Sequence, residues 1–225
     1  MFRWITYGPG GWRNKVAAGL LCVAAAGANA AELDILALGD SLTQGYGLIE
    51  QEGLVPQLRA WLAERGHDVR VVNGGVSGDT TAGGLARVEW SLTPEIDAMI
   101  VALGGNDLLR GIDPGVARDN LEGILKVAEA QDVEVLLVGM QAPGNYGPEY
   151  KAAFDSLYPD LAEQYDTLYL DSFFAALAEE GDEMPDMGAF MQPDGIHPNA
   201  RGVARIVETL GPEVEALIAR AAPAG

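Results

Sequence analysis

A chain of 225 residues with 33 acidic and 14 basic side chains carries a formal charge of −19 at pH 7. A surface of that sign repels nucleic acid and anionic membranes at long range, and it suits a neutral, zwitterionic or cationic small-molecule partner. Two histidines and one cysteine are too few for a zinc site or a disulfide framework, so the expectation is no metal and no other cofactor.

The first 15 residues hold Arg3, Arg13 and Lys15 and no acidic side chain. Residues 16–27 are apolar, and Ala28-Asn29-Ala30 is a small-x-small site. Basic start, short apolar middle and A-x-A end form the layout of a secretory signal peptide cleaved after Ala30, which implies a periplasmic or secreted protein. The apolar run is shorter than the roughly 20 residues a membrane span needs, so no stable span is expected once the signal is gone. A retained anchor is the alternative. The remainder, 31–225, suits one domain with its own core. Cys22 would leave with the signal, so no disulfide is expected.

Short apolar runs then alternate with amphipathic stretches. Strands are expected over 34–38, 69–72, 98–103, 133–140 and 167–170. Helices are expected over 54–65, stopped by Gly66, over 80–90, and over 114–130, with Asp113 as cap and Pro114 in the first turn. A helix over 150–164 is expected to kink or break at Pro159, and a short one follows over 173–180. The last, over 200–221, is expected to weaken or bend near Gly211-Pro212. This rhythm predicts an α/β fold: a flavodoxin-like three-layer sandwich, with a five-stranded parallel sheet in the order 2-1-3-4-5 and helices on both faces.

In such a sheet, ligands bind beyond the carboxyl ends of the strands. Gly39-Asp40-Ser41-Leu42 follows strand one, Asn73 to Asp79 follows strand two, and Gly104-Gly105-Asn106-Asp107 follows strand three. Ser41 is the candidate nucleophile, exposed on a glycine turn. Asp40 supports the turn. His197 is the candidate base, because His67 lies in a turn at the opposite end of the sheet. Asp194, three residues before His197, is close enough in sequence to orient the imidazole. Three groups are candidate donors to an oxyanion: the backbone N–H of Ser41, the backbone N–H of Gly78 and the amide of Asn106. The turn Gly74-Gly75-Val76-Ser77-Gly78 lacks the spacing of a nucleotide loop, and no G-x-S-x-G elbow is present. Met140, Tyr146, Met184, Met187, Phe190 and Met191 are candidates for a pocket wall, with 184–191 forming a mobile side for a medium acyl chain.

Taken together, GDSL at Ser41, SGDT at Gly78, GGND at Asn106 and DGIH at Asp194/His197 resemble the SGNH, or GDSL, hydrolase family. The likeness is greatest to its bacterial periplasmic branch of thioesterases, lysophospholipases and arylesterases. The resemblance implies metal-free hydrolysis of acyl esters and thioesters through an acyl-enzyme on Ser41. Two alternatives stay open: a carbohydrate O-acetylesterase of the same family, and an exported binding protein that keeps the fold without the chemistry. Oligomeric state is open as well.

Overall fold

A computed structural model describes Met1 and residues 33–177 and 187–222. The signal-like segment and Met184 lie outside the described residues, as does the side chain of Met187. Five parallel strands make one sheet: β1 (Leu33–Gly39), β2 (Val69–Gly75), β3 (Ala98–Ala102), β4 (Glu134–Val138) and β5 (Leu168–Leu170). Their order is β2-β1-β3-β4-β5, as the alternation predicts. Every residue of β1 and of β3 is buried, because both strands lie inside the sheet with helices on each face.

Helices α2 (Leu54–Glu64) and α7 (Ala200–Ala221) pack on each other, while α3 (Thr81–Ser91), α5 (Pro114–Ala130) and α6 (Pro148–Gln164) pack in series to form a second layer. Asp113 accepts a bond from Gly115 N–H and so caps α5 as expected. Helix α6 runs through Pro159 and α7 runs through Gly211-Pro212, so neither helix is broken there. In α6 the side chains of Phe154, Leu157, Tyr158 and Leu161 are buried around the proline, and that burial outweighs its roughly 3 kcal/mol propensity cost. In α7, Gly211 lies flat on Trp61, where an added Cβ would come within 2.7 Å of the indole, so the glycine serves packing. In place of the expected helix over 173–180, the described part is a single 3₁₀ turn, Ala175–Leu177.

The register brings the loops together. Gly39 at the end of β1 pairs with Gly75 of β2 and Ala102 of β3, so three strands finish level and their following loops leave one edge. Two of those loops contain short helices whose bounds the sequence pattern does not set: α1 (Ser41–Gln44) and α4 (Gly105–Leu109). Among the described residues no helix is long and apolar enough to cross a membrane.

Candidate active site

The β1 strand ends at Gly39, where a Cβ would collide with the Thr43 side chain. Asp40 follows, buried, and its Oδ1 accepts the Leu42 N–H at 2.9 Å, capping α1. Ser41 is therefore the first residue of a helical turn, and its N–H is one of the amides that an α-helix leaves unpaired at its start. Gly45, at φ 89°, stops the helix after one turn.

The imidazole of His197 reaches this serine from a loop 156 residues downstream: His197 Nε2 lies 2.9 Å from Ser41 Oγ. His197 Nδ1 lies 2.7 Å from Asp194 Oδ2. The other carboxylate oxygen of Asp194 accepts the backbone N–H groups of Ile196 and His197, each at 3.0 Å. These backbone bonds, that of His197 foremost, and then the imidazole bond hold the Asp194 carboxyl down to about pKa 2. Gly195, at φ 67°, makes the reversal between them possible.

The Asp/His loop is tied at its base by a bridge between Met191 and Pro198. Gln192 fastens it further. Its N–H donates to the His197 carbonyl at 2.7 Å, and its side-chain amide donates to the carbonyls of Tyr46 and Pro198 at 2.8 and 3.0 Å. The Tyr46 ring covers the imidazole, with centroids 4.6 Å apart and planes inclined by 35°. Sequence reading assigned no role to Gln192 or to Tyr46. A glutamine beside a proline and a tyrosine beyond a helix end carry no motif, and only the fold brings them to His197.

Gly78 is the third residue of a turn closed by Asp79 N–H on the Val76 carbonyl at 3.1 Å. Its φ of 81° is the value a type II turn demands there, which only glycine adopts without strain. Arg110 donates to its carbonyl at 2.8 Å. Asn106 sits in α4, and its Nδ2 donates one hydrogen to Asp40 Oδ2 at 3.0 Å, leaving the second for another acceptor. Burial pushes the Asp40 carboxyl above its ordinary value, against the bonds from Leu42 and Asn106 that favour the charge. Ser41, Gly78, Asn106 and His197 all face one open cavity of about 460 Å³.

Of the candidate wall residues, Met140 and Tyr146 line this cavity. Phe190 and Met191 do not. Phe190 lies beneath the guanidinium groups of Arg201 and Arg205, and Met191 is engaged in the bridge to Pro198. The rest of the wall is apolar at Leu108, Leu109, Pro143, Phe174 and Ile196, residues that a sequence pattern does not single out, and polar at Ser77, Gln141 and Asn145. His67 pairs instead with Glu215 of α7 at 2.8 Å.

A hydroxyl, an imidazole and a carboxylate joined in series beside convergent amide donors, at the carboxyl edge of a parallel sheet, define a serine hydrolase. Residues 37–205 match the GDSL-like lipase/acylhydrolase family. The chain belongs to that family and is a carboxylic ester hydrolase. It is 38% identical over 207 residues to Esterase TesA of Pseudomonas aeruginosa, covering 92% of this chain and 100% of that one. Over 186 residues it is 34% identical to Thioesterase 1/protease 1/lysophospholipase L1 of Escherichia coli strain K12, covering 82% and 84% of the two chains. The solved structure of AlinE4, an SGNH-hydrolase family esterase, superposes with a TM-score of 0.65 at 43% identity, covering 86% of this chain and 98% of that one.

Proposed function

We propose that Ser41 is the nucleophile, His197 the general base and acid, and Asp194 the group that orients His197. The observation that carries this reading is the continuous series Ser41 Oγ to His197 Nε2 at 2.9 Å and His197 Nδ1 to Asp194 Oδ2 at 2.7 Å. In it, Ser41 Oγ adds to the acyl carbonyl carbon as its proton passes to Nε2. The carbonyl oxygen becomes an oxyanion that accepts bonds from Ser41 N–H, Gly78 N–H and Asn106 Nδ2. Collapse breaks the bond to the leaving alcohol or thiol, which takes the proton from Nε2. Water then repeats the sequence on the acyl-enzyme, its proton going to Nε2 and the released acid leaving Ser41 restored. The Asp194 carboxylate keeps Nδ1 protonated and stabilises the imidazolium formed in each half.

The substrate is an uncharged acyl ester or thioester whose chain is of medium length. Leu108, Met140, Tyr146 and Phe174 give the cavity an apolar wall, and among the described residues its ionisable groups besides tyrosines are Asp40 and His197. A carbohydrate acetyl ester is the second reading, since Ser77, Gln141 and Asn145 also line the cavity and could bond sugar hydroxyls. Residues 1–30 direct export, so the mature protein from a periplasmic extract should begin at Ala31.

Two measurements test this. A fluorophosphonate should add one phosphonyl group per intact chain, and the adduct should disappear in Ser41→Ala; an adduct that survives places the nucleophile elsewhere. Rates on p-nitrophenyl esters of rising length should peak at an intermediate chain, and Tyr146→Ala should move the peak to longer chains. An unmoved peak removes the proposed acyl wall.

A further inference from the structure

We propose that Arg87 is the positioning residue of the oxyanion site, fixing the two backbone donors relative to each other. This rests on the roles given above to Ser41 and Gly78. Those donors leave different strands, Ser41 after β1 and Gly78 after β2, and the loops already touch where the Ser77 hydroxyl bonds the Gln44 side chain. Arg87, one turn from the end of α3, reaches both loops. Its Nε donates to Asp79 Oδ2 at 2.7 Å, directly after Gly78. Its Nη2 donates to the Gly39 carbonyl at 2.8 Å, two residues before Ser41. The same carbonyl accepts the Val76 N–H at 3.0 Å, so both acceptances tie the β1 loop to the β2 side.

The side chains of Arg87 and Asp79 are only 10% and 16% exposed. A pair so removed from water is weak evidence for stability, because desolvation offsets most of the attraction. Its value is geometric. A planar guanidinium holds two acceptors at a fixed angle, which a single ammonium cannot do. Gly83 keeps the place clear, since a Cβ there would overlap the Asp79 carboxylate. Two further ties complete a ring of three loops. Asn106 bonds Asp40, and the fully buried Asp107 accepts the Thr81 N–H at 2.9 Å and the Thr81 hydroxyl at 2.6 Å. Arg87 is the side chain of that ring that joins the end of β1 to Asp79, the residue after Gly78.

The test compares the mature protein with Arg87→Lys and with the double variant Arg87→Met, Asp79→Leu, which exchanges the ion pair for apolar contact. The readouts are p-nitrophenyl butyrate hydrolysis and inhibition by an alkyl trifluoromethyl ketone, whose adduct with the serine carries an oxyanion. Both variants should keep the wild-type circular dichroism and a cooperative melt. Each should lose about 10- to 100-fold in kcat, part of the 10²–10³ that removal of a donor costs, with KM within twofold. Ketone affinity should fall by the same factor as kcat/KM, while that of the unreactive alcohol analogue holds. Wild-type kcat in Arg87→Lys, or a fall in kcat with ketone affinity intact, overturns the inference. Ser41→Ala, assayed alongside, separates the two levels. If it stays active, the reading of the site fails and takes this inference with it. If it is dead while Arg87→Lys is unimpaired, only this inference fails.

Discussion

Replacing Asp40 by asparagine should move activity and stability in opposite directions. The variant keeps the helix cap, because an asparagine oxygen accepts the Leu42 N–H as well as a carboxylate oxygen does. It also turns an amide toward Asn106, whose Nδ2 now donates to Asp40 Oδ2. Two donors cannot face each other, so the Asn106 amide rotates and the donor proposed for the oxyanion is withdrawn. The ceiling on the loss is the worth of one such donor, about 2.7–4 kcal/mol, or 10²–10³ in kcat. Stability follows the opposite course. Burial raises the Asp40 carboxyl in the folded protein, so its contribution is greatest below its ordinary pKa of 3.8 and declines as pH rises through the folded value. Asparagine has no such decline. Urea unfolding of the two proteins between pH 3 and 8 should show the variant gaining on the wild type as pH rises. At pH 7 it should be at least as stable while its kcat is depressed. A variant with wild-type kcat and reduced stability at pH 7 would refute the argument.

Asp194→Asn should lower kcat by roughly 10³–10⁴, read from p-nitrophenyl ester turnover, because the imidazole loses the group that fixes its tautomer. With its pKa held down to about 2, Asp194 contributes stability above its ordinary value that is lost only as pH falls toward 2. The wild-type advantage over Asp194→Asn in unfolding free energy should thus be flat from pH 5 to 8 and shrink below pH 4. The acid limb of the wild-type kcat/KM profile should belong to another group. Tyr46→Leu removes the ring over His197 and should reduce kcat about 2- to 30-fold, the range of an imidazolium–aromatic contact of about 0.5–2 kcal/mol. Tyr46→Phe should stay near wild type in the same assay. Gly104→Ala places a Cβ at φ 116° against the Tyr158 hydroxyl, which bonds the Leu103 carbonyl at 2.9 Å. Backbone strain alone should cost about 1–3 kcal/mol in chemical denaturation, and an unchanged midpoint would count against it.

The strands were legible because each is a short apolar run between turn residues, and a doubly wound sheet leaves few orders for five of them. The loop motifs were legible because chemistry restricts their residue types. What escaped notice depends on distant contact. Arg87 lies on an amphipathic helix among other charges, and its two partners are 8 and 48 residues away. Gln192 meets Tyr46 across 146 residues. The prolines inside α6 and α7 leave both helices unbroken for the same reason: a local rule disfavours them, and tertiary burial outweighs it. Phe190 and Met191 share a composition with the cavity's apolar lining, but a cavity is selected by position, and arginines of α7 cover Phe190.

Carrying the carboxylate and the imidazole on one four-residue bend has a consequence for how such an enzyme diverges. In a relay assembled from three separate elements, two spacings drift whenever a loop is lengthened or a layer slides. Here the carboxylate and imidazole travel as one rigid unit, since Asp194 grips the main chain of His197 as well as its ring. Evolution is left with a single adjustable gap, the one to Ser41. The neighbouring cleft can then be remodelled for new acids or alcohols without retuning the proton path.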